Sequence, residues 1–213
     1  MNYGKFFYGA LALAILSVGV GYYFYPSLPA TIPTHWNIAG EADSFSTKEA
    51  GLSIMPILSV CMMILFAWLP KADPKKENVK FNQPYYEITI FCIMLFLFAL
   101  YCVTIAIPLG YNIDVGKFMV ISMGIMFIVL GKQMEFIKSN WFFGIRTPWT
   151  ISNDAIWTKT HRIGARLFNA FGIVLLIFGF IMPSLAIPIL IAFSVALAVW
   201  SIVYPYMEWK KIH

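Results

Sequence analysis

Charged side chains are scarce. Asp, Glu, Lys and Arg make up only 12% of the 213 residues, and 60% of the chain is apolar; an ordinary soluble domain has about a quarter charged. That balance excludes a soluble globular domain. Cysteine is scarce as well. Cys61, Cys92 and Cys102 lie in apolar runs with no CxxC spacing, which argues against a disulfide framework or a structural zinc site and for plain packing roles. There is no HExxH, no Walker loop and no Ser-His-Asp order. The net charge of +5 comes without any groove-reading motif, so direct nucleic-acid binding is not expected.

Long uncharged runs take the place of these features. No charged residue occurs between Arg166 and Glu208, a stretch about twice the roughly 20 residues that one helix needs to cross a bilayer. Pro183 and Pro188 break it near the middle, as a turn between antiparallel helices would. The same reasoning places spans at Phe6–Tyr25, Gly51–Leu69, Ile88–Ile107, Phe118–Ile137, Leu167–Met182 and Ile189–Met207. The fourth carries Lys132 and Glu135 near one end, where the lysine can snorkel to the headgroups. The first is longer than a signal-peptide core and ends in Tyr-Tyr-Phe-Tyr-Pro, an aromatic girdle suited to a helix that stays in the membrane.

The expected fold is therefore all-α, a polytopic membrane protein with six transmembrane helices. An N-in/C-in orientation puts every lysine and arginine except Lys48 and Lys117 on the cytoplasmic side, as the positive-inside rule requires. Trp68, Trp141, Trp149, Trp157 and Trp209 then fall near the cytoplasmic boundary as interfacial anchors. The expected division is a helical hairpin with a long outer loop over 1–69, a cytoplasmic linker over 70–87 and a four-helix membrane domain over 88–213. The lysines of the linker alternate with acids and prolines, as in a solvated connection.

Two connections are longer than connecting requires. The outer one, Pro26 to Ala50, has Pro26, Pro29 and Pro33 favouring an extended entry. Gly40 permits a tight turn that brings His35 and Asn37 toward Glu41 and Asp43, and Ser46 with Glu49 fits a helix-start capping box. These polar groups can hydrogen-bond within the loop and hold it folded, offer a peptide- or ligand-binding surface, or bind a cation. The first is the expectation, compatible with the second, and no metal or cofactor is expected.

The inner connection runs from Lys138 to Arg166. Asn140-Trp141-Phe142-Phe143-Gly144 supplies aromatics for the interface, and Thr147-Pro148 is a turn signal that re-aims Arg146. Asn153 is an expected N-cap with Asp154 in the first turn. Ile156, Trp157, Thr160, Ile163, Gly164 and Leu167 recur at helical spacing, with Lys159, Arg162 and Arg166 off that face. Arg146, Arg162 and Arg166 suit lipid phosphates, and an arginine fork also suits an anion or a protein partner. His161 could titrate or donate beside them. Asn169, just inside the fifth span, needs a partner.

Written out, the two segments resemble the signatures of the SdpI family of bacterial membrane immunity proteins. Pro29-Ala30-Thr31-Ile32-Pro33-Thr34-His35-Trp36-Asn37-Ile38-Ala39-Gly40-Glu41-Ala42-Asp43 is similar to that family's N-terminal segment. Asn140-Trp141-Phe142-Phe143-Gly144-Ile145-Arg146-Thr147-Pro148-Trp149-Thr150, continued by Trp157-Thr158-Lys159-Thr160-His161-Arg162-Ile163-Gly164, is similar to its second. Gly131-Lys132 departs from the Gly-Asn of many relatives. The resemblance implies protection against a secreted peptide toxin and, in some members, capture of a cytoplasmic transcriptional repressor. It marks His35, Asn37, Gly40, Glu41, Asp43, Asn140, Arg146, Thr147, Trp149, Trp157, His161 and Arg162 as candidate binding residues, with the toxin, membrane lipids and a repressor as partners.

A non-enzymatic binding protein is the first expectation. A membrane-embedded enzyme acting on a peptide or lipid is the alternative, with His35 or His161 as acid–base. Histidines on opposite faces of a bilayer about 30 Å thick cannot share one substrate bond. A transporter would carry ionisable groups or broken helices at mid-membrane, and the spans hold almost no ionisable group.

Overall fold

The computed structural model describes residues 3–212, apart from the side chains at positions 183 and 184. The order is α1 (Lys5–Phe24), a 3-10 turn (Tyr25–Ser27), β1 (Thr31–Trp36), β2 (Ala42–Thr47), α2 (Lys48–Ala72), α3 (Lys76–Ala106), α4 (Val115–Met134), α5 (Pro148–Ser152), α6 (Asp154–Ile181) and α7 (Pro183–Lys210). Among the described residues, six helices are long and apolar enough to cross a membrane, at the six places the uncharged runs mark. The fold is mostly helical rather than all-α, because the outer connection folds into a two-stranded antiparallel sheet.

Several helices outrun their apolar segments, since backbone hydrogen bonding does not stop where hydropathy does. α3 starts at Lys76 rather than near Ile88, so most of the stretch 70–87 is helix and the bend is confined to Asp73–Lys75. α6 starts at Asp154, capped by Asn153 Oδ1, which accepts the N–H groups of Ala155 (2.9 Å) and Ile156 (3.1 Å). The α6–α7 reversal is tighter than a two-proline hinge. Only Met182 leaves helical geometry, and Pro183 opens α7, where its missing N–H breaks no helical bond.

The chain divides into two compact units, one made of residues up to Ala67 with Ile90–Met119, the other of Trp68–Thr89 with the chain from Val120 onward. In the first, Leu28, Ile32, Leu52, Tyr101 and Ile105 form the core. Ile32 reaches it over Gly51, where a Cβ would sit 2.6 Å from the Ile32 Cδ1. The Tyr101 hydroxyl donates to the Leu52 carbonyl at 3.1 Å. The expected Ser46–Glu49 capping box does not form. Thr47 Oγ1 accepts the Ala50 N–H instead (3.4 Å), and Glu49 accepts from the Tyr25 hydroxyl (2.7 Å), because the strand carries the helix start one residue further on.

In the second unit, Val120, Phe171, Leu175 and Ala186 form one cluster and Met134, Ile137, Trp157 and Ala165 another. Helices α4 and α6 touch backbone to backbone. A Cβ on Gly172 would stand 2.6 Å from the Gly124 carbonyl, and one on Gly131 would stand 2.9 Å from that of Ala165. Such small-residue contacts replace the hydrophobic effect as the reason for helices to associate in lipid.

Candidate functional site

The turn joining β1 to β2 is built by Asn37, Gly40 and Glu41. The Asn37 N–H donates to the Glu41 carbonyl (2.9 Å), the Gly40 N–H to the Asn37 carbonyl (2.9 Å) and the Glu41 N–H to Asn37 Oδ1 (3.0 Å). Asn37 Nδ2 returns a bond to the Glu41 carboxylate at 3.2 Å. Gly40 has φ +80°, a conformation that side chains resist. One step along the strands, His35 Nδ1 lies 2.6 Å from Asp43 Oδ1. The sequence reading brought these five residues together, and the hairpin does so through bonds to side chains as much as to backbone. His35, Glu41 and Asp43 remain exposed, beside Ile38 at 71% and Phe45 at 60%. Among the described residues no three His, Cys, Asp or Glu side chains converge.

The segment after α4 is held quite differently. Asn82, buried on α3, pairs with both backbone groups of Lys138, Nδ2 donating to the carbonyl and Oδ1 accepting the N–H, each at 2.8 Å. Asn78 Nδ2 donates to the Ser139 carbonyl (2.8 Å). Asp73, 1% exposed, accepts the N–H groups of Lys75 (2.8 Å) and Trp141 (2.9 Å). Lys75 Nζ donates to Ser139 Oγ (2.8 Å), which in turn donates to Asp154 (2.5 Å). The stretch read as a solvated linker is thus the dock for the motif, because Asp73, Asn78 and Asn82 meet backbone groups that would otherwise be buried without partners.

Inside the segment, Asn140 Oδ1 accepts the N–H groups of Phe142 (3.0 Å) and Phe143 (2.8 Å), closing a tight Asx turn. Gly144 has φ +99°, and a Cβ there would lie 2.5 Å from His161 Nε2. That nitrogen accepts the Ile145 N–H at 3.0 Å. It therefore carries no proton, and Nδ1 donates to the Trp157 carbonyl at 2.9 Å. Both ring nitrogens are committed to backbone, so the buried imidazole is a neutral clamp rather than a poised acid or base. Trp157 stacks on it at 4.0 Å and donates its indole N–H to the Ile137 carbonyl (2.9 Å). Expected at the interface, Trp157 is only 1% exposed, since its N–H finds an internal carbonyl.

Thr147 and Thr150 form a reciprocal capping box at the start of α5, so the turn at Thr147-Pro148 becomes a short helix. Between this cap and Gly144, Arg146 is exposed and donates from Nη1 to the Trp141 carbonyl at 2.6 Å. Trp149 packs on Tyr206 with ring centres 5.2 Å apart.

The SdpI/YfhL protein family model matches residues 137–205, which begin at this docked segment, and a domain of unknown function (DUF1648) matches residues 12–60, which hold the hairpin. Over 204 residues the chain is 22% identical to Immunity protein SdpI of Bacillus subtilis, covering 96% of each chain. Over 71 residues it is 38% identical to the uncharacterized membrane protein YbgB of the same organism, covering 33% of this chain and 69% of that one. The chain belongs to the SdpI family. With its six apolar helices, this SdpI-family chain is a multi-pass protein of the cytoplasmic membrane. No solved structure matches it.

The SdpI-family motif residues fall into three groups. Asn140, Trp157 and His161 are buried and bonded to backbone groups within residues 137–157, Arg146, Thr147 and Trp149 lie between them in the chain, and Arg162 is exposed on α6. Ile156, Trp157, Thr160 and Gly164 are buried and Lys159 and Arg166 exposed, as their spacing indicates. Asn169 departs from expectation. Its Oδ1 is buried without a hydrogen-bond partner, beside Gly131, because the close helix crossing brings backbone rather than a donor. Sequence reasoning missed Asp73, Asn78, Asn82, Ser139 and Glu208, the last buried and receiving Lys159 (2.9 Å) and Lys211. The i, i+4 spacing of Asn78 and Asn82 ahead of an apolar span was the available signal.

Proposed function

We propose that this protein is a non-enzymatic immunity protein that binds a secreted peptide toxin at the outer membrane surface, with the hairpin as the toxin-facing element. The observation that carries this is the alignment with Immunity protein SdpI over 96% of both chains. The hairpin suits such a partner. Exposed Glu41 and Asp43 beside exposed Ile38 and Phe45 present acid and apolar surface together, complementary to a basic amphipathic peptide. The distribution of lysine and arginine supports the N-in/C-in orientation. That orientation puts the hairpin outside and the docked segment inside, with 1–69 as the toxin-facing part and 88–213 as the membrane domain. Holding a cytoplasmic transcriptional repressor is the signalling extension of this reading, and the exposed Arg162 is the first residue to test for it.

Two measurements test the proposal. Cells expressing the protein with its cognate secreted peptide should survive, and an Asp43→Ala, His35→Ala double variant present at normal membrane level should lose protection. In a background lacking the three native cysteines, Ala42→Cys should be labelled on intact cells by an impermeant thiol reagent and Asn153→Cys should not. Full protection by the double variant removes the hairpin from the function, and the reverse labelling pattern inverts the topology.

A further inference from the structure

We infer that the groove between the docked segment and α7 binds one anionic phospholipid, its phosphate on Arg146 and an acyl chain along α7. The groove encloses about 400 Å³, within the roughly 300–1,000 Å³ of small-molecule sites. Its walls are Phe127 of α4, Phe168 of α6 and Leu197, Ala198 and Ile202 of α7, and Gly144 to Thr147 form its rim. From Ser194 to Ile202 the α7 wall runs about 12 Å, long enough for much of one chain.

The charge pattern selects the headgroup. Among the described residues lining the groove, Arg146 is the only ionisable one and none is acidic. A phosphate therefore finds a cation, whereas the ammonium of a zwitterionic headgroup finds no counter-charge. Arg146 is also fixed in place rather than trailing in solvent. One Nη1 hydrogen is tied to the Trp141 carbonyl, which leaves the rest of a five-donor fork free for phosphate oxygens. The backbone on either side is pinned, by the Ile145 N–H on His161 and by the Thr147–Thr150 capping box. The level is right as well. Trp149 packs on Tyr206, and Tyr206 on Trp209, an aromatic group of the kind that marks headgroup depth. The groove descends from there toward Ser194 among apolar side chains. The heavy internal bonding of the motif is thereby given a purpose, which is to hold one guanidinium over an acyl-chain groove.

The test is native mass spectrometry of the full-length protein in detergent, with phosphatidylglycerol and phosphatidylethanolamine of identical acyl chains in equal amounts. One phosphatidylglycerol per chain should be retained, with a preference of about tenfold or more, the ratio one charge-assisted hydrogen bond supports. Arg146→Gln should remove the preference, Arg146→Lys should retain part of it, and Ala198→Trp, which fills the groove and leaves the arginine, should lose the adduct. Lys132→Gln, an exposed cation away from the groove, should change nothing. Equal retention of the two lipids by the wild type, or an unchanged preference in Arg146→Gln, overturns the inference. Displacement of the lipid by excess inorganic phosphate also overturns it, by showing a phosphate site with no part for the acyl chain. None of these readouts depends on toxin protection.

Discussion

The hairpin 31–47 and the segment 138–153 are both rich in polar side chains, and they use them in opposite ways. In the hairpin the bonding groups are close in sequence and exposed. Asn37 meets Glu41 four residues on, and His35 meets Asp43 eight residues on. In the docked segment the partners are distant and buried, with Asn82 bonding Lys138 and Asp73 bonding Trp141. An exposed bond replaces one to water and adds little, whereas a buried group left unpaired costs about 1–3 kcal/mol. The hairpin can therefore lose a side chain and keep its shape. The segment cannot, which makes it the architectural half of the pair and leaves the hairpin free to meet a ligand.

Each segment holds one positive-φ glycine, Gly40 in the hairpin and Gly144 in the docked segment, and these give the sharpest break in this comparison. Gly144→Ala adds backbone strain of about 1–3 kcal/mol and drives a Cβ into His161, which has no room to retreat because both its nitrogens are engaged. We expect the largest loss of stability here, read as a lowered unfolding midpoint in detergent together with new protease cuts between Lys138 and Asn153. Gly40→Ala meets nothing nearer than the Gly116 backbone at 3.4 Å, so only the backbone strain of about 1–3 kcal/mol remains. Equal losses in the two variants would erase the distinction between a clamped loop and a free one.

Next in size is His161→Ala, which strands the Ile145 N–H and removes a stacked ring. A loss of about 2–4 kcal/mol is expected, with membrane levels falling in proportion. Asn82→Ala should follow at about 1–3 kcal/mol, since it unpairs the Lys138 N–H and leaves the Lys138 carbonyl with Asn140 Nδ2 as its remaining side-chain donor. A thermal unfolding series in one detergent ranks the two. An Asn82→Ala protein as stable as wild type would mean that water, not α3, serves Lys138.

The same contrast explains what could be read in advance. Six spans were legible because charge is excluded from them, and the hairpin turn was legible because Asn37, Gly40 and Glu41 act within a few residues. The Asn153 cap was legible for the same local reason. The dock was not. Asp73 and Lys75 look like any solvated charges on either side of Pro74, and only the fold shows that Trp141 and Ser139 come to meet them. Asn78 and Asn82 lie on a helix that outruns its hydrophobic stretch, so hydropathy set the start of α3 too late and hid their face. His161 was read as a group that could titrate because nothing near it in sequence reveals that Gly144 and Ile145 close over its second nitrogen.

The smallest structural effects should come from the hairpin side chains, and there the comparison turns into a test of function. His35 and Asp43 are exposed, and surface substitutions of this kind usually shift stability by no more than about 0.5 kcal/mol. His35→Ala and Asp43→Asn should therefore unfold like wild type. If the hairpin meets the toxin, protection should nevertheless fall, and by degrees. His35→Gln keeps a hydrogen-bonding group and should be milder than His35→Ala, while Asp43→Asn loses mainly the charge-assisted part of its bond. A site organised by a metal would behave otherwise, because loss of one ligand would abolish it whatever the replacement and a chelator would mimic the loss. We expect graded protection, unchanged membrane levels and no effect of chelator. Protection that tracks stability across all the variants, hairpin and docked segment alike, would assign the hairpin the same architectural role as the segment and send the search for the toxin-binding surface elsewhere on the protein.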